Sequence, residues 1–222
     1  MKKNKHIYYL LFFVAVSHFS YAQQSIGAGI STFHSVGIDF MRYGFTASLE
    51  QPRNEVNTFF LRGVYTFPIK FEDVIEIEKD YGITPTPPGP PKMDVGIVRK
   101  TSLFSVEGGT RYYLLNTYDM GTAIYGGFHM KGYIASYSED IDNDFIVPEG
   151  YTPIERTPKQ TSLLMSFGAN IGFKYQLPMG NAINFDIVGD LVRALHDPAY
   201  ILGNEILPIC ISLNLSYRFD QF

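Results

Sequence analysis

Of the 222 residues one is cysteine and none is tryptophan. A single thiol closes no intramolecular disulfide, which excludes the stapled scaffolds of small exported domains and leaves Cys210 as a small buried apolar residue. Charge is scarce too, at 18% of residues with a formal net of −4; that sign argues against a nucleic-acid partner. Beyond the first segment there is no apolar run long enough to cross a bilayer as a helix. Helical periodicity is weak throughout, so helical bundles are disfavoured as well. A mean hydropathy of −0.02 chooses no compartment, and the order of the residues has to do so.

The one apolar run lies at the start. Lys2, Lys3 and Lys5 are followed by Ile7 to Val16 (IYYLLFFVAV), and Ser20-Tyr21-Ala22 puts small residues where a signal peptidase inspects them. This grammar predicts a cleaved secretory signal peptide over residues 1–22, leaving 23–222 as one domain. The run is short of the ~18 apolar residues of a spanning helix, and no cysteine near the cut offers a lipoprotein anchor. Cleavage removes three lysines and no acid, leaving 15 basic and 22 acidic side chains, a net of −7.

What is abundant is alternation. From Ser162 the chain reads SLLMSFGANIGFKYQL: Leu163, Met165, Phe167, Ala169, Ile171, Phe173, Tyr175 and Leu177 share one face, and polar or small residues the other, with Leu164 the exception. A period of two over that length means a long strand with one apolar face. The same pattern runs through 58–67, 102–115, 122–137, 182–192 and 209–219, and more weakly through Ser25–Phe33 and Ile38–Leu49, where Asp39 falls on the wrong face. Eight strands result, many of them long enough for the ~9–11 residues that cross a bilayer at a tilt. Connections at Glu50–Asn57, Asn116–Gly121 and Pro178–Asn181 are short, whereas those at 68–98, 138–160 and 194–206 on the opposite side are long, with only the first there, near His34–Gly37, being short. Short turns on one side, long loops on the other and an even strand number predict an all-β, eight-stranded antiparallel up-and-down transmembrane barrel, with both termini in the periplasm.

The polar face indicates which side is inside. It carries mostly Gly, Ser, Asn, Thr and Tyr, with few charges of both signs, as suits a narrow filled lumen rather than a water-exposed surface. Arg42, Arg62, Glu107, Arg111, His129, Lys131, Lys174, Asp186, Asp190 and Arg218 are therefore predicted to form a packed polar network inside. An eight-stranded barrel is just wide enough for side chains to fill, so a general porin is excluded. Aromatics near strand ends (Tyr65 and Phe67, Tyr112 and Tyr113, Tyr133 and Tyr137, Phe173 and Tyr175, Tyr217 and Phe219) are read as interfacial girdles.

With the signal sequence, the eight alternating segments and the ending SLNLSYRFDQF on the page, the mature chain resembles small outer-membrane β-barrel proteins, OmpA-type in shape and Bacteroidetes-like. The resemblance implies the outer membrane of a Gram-negative bacterium, contact with outer-membrane lipid and lipopolysaccharide, and delivery by the barrel-assembly machinery. It also implies an aromatic-terminated last strand as the assembly signal, to which Tyr217, Phe219 and Phe222 are the candidates, Phe222 being out of phase with Phe219.

Chemistry is sparse by comparison. A lipid A-modifying barrel enzyme needs a serine or histidine nucleophile system, and the mature chain has only His34, His129 and His196. None sits in a recognisable motif with a serine, so no catalytic residue is assigned and a non-enzymatic envelope structural or interaction protein, such as an accessory subunit of a larger complex, is the leading expectation. The lipid A enzyme is its principal alternative; a narrow channel or a soluble lipocalin-like carrier are more distant. Asp140, Asp142 and Asp144 have the spacing of a calcium loop but lack its glycine at position six and glutamate at position twelve; no metal and no cofactor is expected. Thr84–Pro91 (TPTPPGPP) should be a stiff extended piece, and the loops at 68–98, 138–160 and 194–206 are the expected protein-docking surface.

Overall fold

A computed structural model describes residues 24–80, 89–141, 150–153, 159–178, 180–194 and 208–220. The expected signal peptide, Asp142 and Asp144, His196, all but the first residue of the loop at 194–206, Phe222 and most of the proline-rich stretch lie outside these residues. The alternating segments form nine strands: β1 (Ser25–Ser35), β2 (Arg42–Asn54), β3 (Asn57–Lys79), β4 (Lys92–Leu115), β5 (Ala123–Ile141), β6 (Tyr151–Pro153), β7 (Lys159–Gln176), β8 (Ala182–Ala194) and β9 (Ile209–Asp220). Eight of them make an antiparallel ring in the order β1-β2-β3-β4-β5-β7-β8-β9. It closes between the first and the last, from Ser25 opposite Asp220 to Ser35 opposite Cys210. β6 stands outside the ring, paired with the far end of β3 at Ile77–Lys79.

The ring is inside-out relative to a soluble barrel. Outward residues are large and apolar, with Ile30 56%, Phe45 59%, Leu191 65% and Phe128 73% exposed, while Glu107, Lys174 and Asp186 on the opposite phase are at 0–1%. Leu164, the exception in its strand's alternation, points inward and is buried with Phe33, Leu103, Tyr133, Ala135, Tyr137, Val192 and Cys210. The lumen is therefore not uniformly polar. This apolar layer closes it toward the loop end, and Tyr113, Tyr118, Ala123 and Tyr125 close it toward the turn end.

Several sequence expectations need correction. β2 begins at Arg42, so Asp39 stands before the strand and its wrong phase has no consequence; the strand runs on to Asn54, leaving a turn of only Glu55 and Val56. Tyr113, Tyr133 and Tyr137 are buried and inward-facing, not girdle residues, whereas Tyr65, Phe67, Tyr112, Phe173, Tyr175 and Phe219 do face outward. The largest difference is at 68–98. Both arms of this expected loop are strand: β3 and β4 stay paired from the ring out to Glu78 opposite Lys92. The loop at 138–160 likewise loses its two ends to β5 and β7 and contains β6.

A single irregularity explains how one strand serves two environments. Between Thr66 and Ile69 the β3–β4 register shifts by one residue, with Pro68, which has no N–H to give to the ladder, inside the bulge. Odd-numbered residues of β3 up to Phe67 (Phe59, Leu61, Tyr65) face outward. Past the bulge the odd residues Ile69, Phe71, Ile75 and Ile77 turn inward, opposite the buried side of β4. The apolar phase of the sequence thus continues unbroken while its direction reverses. Above the ring Ile77 and Val95 are fully buried with Tyr151, and Ile75, Met93 and Ile141 pack against them. The β3–β4 hairpin is a raised wall with its own small core.

Candidate functional site

The lumen is built in layers by the inward residues of all eight ring strands. Nearest the turn end, the 116–122 segment folds back under the ring, with Asn116 at a positive φ of 60°. Tyr118 is drawn inside, donating its hydroxyl to Ser25 Oγ at 2.7 Å. Its ring lies under the Arg218 guanidinium at 4.3 Å, and its carbonyl accepts from Lys174 Nζ and, at 3.4 Å, from Arg218 Nη2. Lys174 and Arg218 thus hold the stopper from β7 and β9.

The next layer centres on Asp186, which is completely buried. It accepts from Arg62 Nη2 at 2.7 Å, from Arg111 Nη2 at 3.2 Å and from Tyr125 Oη at 2.8 Å. Arg111 also reaches Glu50 at 2.6 Å, and Glu50 takes further bonds from Thr58 Oγ1 at 2.6 Å and Tyr113 Oη at 3.0 Å. Gly172 leaves room for the Tyr125 ring, which a Cβ would strike. Such charges persist in a low-dielectric interior only when each is paired and hydrogen-bonded.

The third layer centres on Asp190. Its carboxylate receives Lys131 Nζ at 2.7 Å, Ser166 Oγ at 2.8 Å and Tyr133 Oη at 3.2 Å, and lies 2.8 Å from His129 Nε2. Lys131 also stands 3.4 Å from Glu107. His129 fits because Gly168 has no side chain; a Cβ there would sit 2.6 Å from Nε2. Serine, histidine and aspartate meet here, but the aspartate lies between the other two. Activating a serine requires the imidazole on its hydroxyl, whereas Ser166 and His129 both address the same oxygen of Asp190. The geometry holds a charge in place and forms no nucleophile–base pair among these residues.

Nine of the ten residues expected in the lumen network lie in these three layers. Arg42 stands apart near the loop end, 1% exposed, donating to the Thr101 carbonyl at 3.1 Å and lying over the Phe40 ring. Glu50, Tyr113, Tyr118, Tyr125, Tyr133 and Ser166 are members that the sequence reading left out. Of the proposed assembly aromatics, Tyr217 and Phe219 pack edge to face with centroids 4.7 Å apart on the last strand. Asp140 is at the end of β5, paired with Lys100 at 2.8 Å.

The raised wall is the second candidate. Its tip is closed by Lys79 N to Pro91 O at 2.9 Å, by Lys79 Nζ to Gly89 O at 2.6 Å, and by Tyr151 Oη to Pro90 O at 2.6 Å. Gly89 has a positive φ of 114°, and a Cβ there would lie 2.8 Å from Tyr151 Oη. Ion pairs Arg99–Asp73, Lys92–Glu76 and Lys100–Asp140 decorate the surface. β2 accompanies β3 only as far as Gly44 opposite Thr66, and β6 covers only Ile77–Lys79. Between them, 67–76 form a strand edge with no described strand on that side, although Phe40 packs on Phe71 at 4.8 Å.

No protein-family profile and no curated protein matches the sequence. Solved structures do. Neisserial surface protein A (NspA) superposes with a TM-score of 0.50 at 12% identity, covering 89% of this chain and 96% of its own. The attachment invasion locus protein Ail of Yersinia pestis gives 0.44 at 14% identity over 89% and 99% of the two chains. The outer membrane protein OprG of Pseudomonas aeruginosa gives 0.45 at 12% over 90% and 97%. At these identities the likeness is one of fold. The NspA match bears out the eight-stranded antiparallel barrel expected from the sequence.

Proposed function

We propose that this chain is a non-enzymatic barrel of a Gram-negative outer membrane that holds the raised β3–β4 wall clear of the bilayer as an interaction surface. The observation that carries this is the reversal of the apolar phase at the Phe67–Pro68 bulge. Below it β3 presents Phe59, Leu61, Tyr65 and Phe67 outward, as hydrocarbon requires; above it the outward residues are Lys70, Glu72, Val74, Glu76 and Glu78. A soluble barrel has no reason to change phase at one level, whereas a strand leaving lipid for water must. Closure of the ring is the second support, because hydrocarbon offers no partner to an open strand edge.

On this reading the turns and both termini face the periplasm, the chain is delivered by the barrel-assembly machinery, and the wall stands among lipopolysaccharide on the outer side. The layered, filled lumen fits a structural role better than conduction. The partner is a protein that meets the wall, and the bare β3 edge suits one offering an extended segment. In vivo photocrosslinking tests this. A benzoyl-phenylalanine at Val74 is expected to trap a discrete protein adduct, while the same probe at Phe167, on the lipid-facing belt, traps none. Lipid-only products at both positions would overturn the reading.

A further inference from the structure

The apolar belt on the outside of the ring ends differently at its two rims. Toward the turn end it finishes in outward aromatics, Phe59, Tyr112, Phe173, Tyr175 and Phe219. Arg53 is the one exposed base at that rim among the described residues, and it lies over the Phe59 ring at 4.6 Å. Toward the loop end the belt finishes in bases. On β3 Lys70 is the first outward residue past the bulge; on β4 Lys100 and Ser102 precede Phe104. On β7 Lys159 and Thr161 precede Leu163, and on β8 Arg193 follows Leu191. β5 contributes the hydroxyls of Ser136 and Ser138 above Ile134.

Strand pairing brings three of these bases to one level. Lys70 is directly opposite Lys100, Lys100 is opposite Ser138, and Ser138 is opposite Lys159. Like charges directly opposite each other on one face of a sheet destabilise it, so the Lys70–Lys100 pair is best accommodated with an anion beside it. Asp140 reaches Lys100 at 2.8 Å from one step farther out. Lys70, Lys159 and Arg193 form no ion pair among the described residues. An ammonium group at the level where outward apolar side chains stop meets lipid headgroups, and its stem can lie along the belt beneath. Phosphate oxygens accept from ammonium and hydroxyl donors alike, and this rim offers both.

We propose that Lys70, Lys100 and Lys159, with Ser138 between them and Arg193 farther round on β8, form a docking row for the lipid A phosphates of lipopolysaccharide. The choice of lipid rests on the reading above that the loop end faces outward, where the phosphorylated glycolipid forms the leaflet. A free phosphate would have no use for the apolar residues that stand directly beneath each base. Bound there, the glycolipid packs its acyl chains against the belt and its headgroup against the foot of the wall.

The test is native mass spectrometry of the membrane-purified protein in neutral detergent micelles doped with lipid A, dephosphorylated lipid A or phosphatidylglycerol. Lipid A is expected to stay bound to the folded barrel in clear preference to the other two. Changing the three lysines together to glutamine (K70Q, K100Q, K159Q) should lower its retention by about tenfold or more, since each base near a charged lipid surface is worth about 1 kcal/mol. Arginine at the same three positions should keep it, and Arg53→Gln at the other rim should leave it unchanged. None of these exposed side chains belongs to the lumen network, so every variant should retain the gel shift of a folded barrel. Retention of lipid A regardless of its phosphates would overturn the proposal. So would undiminished retention in the glutamine variant, or a preference for phosphatidylglycerol. Micelles have no sides, so this result does not depend on orientation in the membrane; a missing protein adduct at Val74 would sink the wall reading alone.

Discussion

Asp186 illustrates how a residue works in this interior. Two arginines and a tyrosine address its carboxylate, and none of the four reaches water. Removing the partner of a buried charge costs about 3–5 kcal/mol, because the remaining charges keep their desolvation and lose their compensation. Asp186→Ala should therefore lower the free energy of urea unfolding in vesicles by that amount. Lys92→Ala, which breaks an exposed pair with Glu76, should change it by less than about 1 kcal/mol. Equal effects of the two would contradict a filled, dehydrated charge layer. The charged members of the network were legible in the sequence because a charge on the polar phase of a strand has nowhere else to go. Glu50 was not, since the polar stretch around Pro52 reads as a turn when its pairing partner is unknown. Tyrosine was expected on the inward face as a class, but Tyr113, Tyr133 and Tyr137 read as girdle residues, because a phenol suits an interfacial girdle and a buried hydrogen bond equally well.

Among the elements, β3 does the most. Alternation located every ring strand, but it could not foresee that β3 runs on to Lys79, because Pro68 and the charges that follow look like the start of a loop. Only the register with β4 makes the bulge visible, and register depends on a distant segment. Nitroxide labels placed at Tyr65 and Val74 check the consequence. Both residues face outward, yet the first should collide with dissolved oxygen in the bilayer and the second with a water-soluble nickel complex; the same preference at both sites would move the membrane boundary away from the bulge. The wall's own core gives a further expectation. Tyr151→Ala uncovers Ile77 and Val95 and removes the bond to Pro90, and a buried aromatic truncated to alanine costs roughly 3–5 kcal/mol locally. Faster amide exchange at Ile77 and Val95, with the ring strands unchanged, is the expected signature.

At the scale of the whole molecule, the ring and the wall are distinct: every ring strand has two ring neighbours, and the wall continues from the ring as the far ends of β3, β4 and β5, with Phe40 packed on Phe71 at its base. Replacing residues 70–99 by a tight turn should leave a barrel that still migrates differently in boiled and unboiled gel samples, while the Val74 contact surface is lost. Failure of that variant to insert would mean that the wall is needed for assembly. Fold class was legible because period-two alternation, short turns and an even number of segments are one-dimensional properties of the chain. The reversal of polarity above the ring depends on three-dimensional pairing, and no single segment records it.

The central claim is that the apolar phase of the ring faces lipid and the charged phase fills a closed lumen. It is tested most directly by a nitroxide scan of β7 from Leu163 to Tyr175, in a Cys210→Ser background, with the protein in lipid bilayers. Oxygen accessibility should rise and fall with a period of two, high at Phe167, Ile171 and Phe173 and low at Ser166, Asn170 and Lys174, while the nickel complex reaches none of them. Nickel access at the outward positions would contradict the claim, because it would place that face in water.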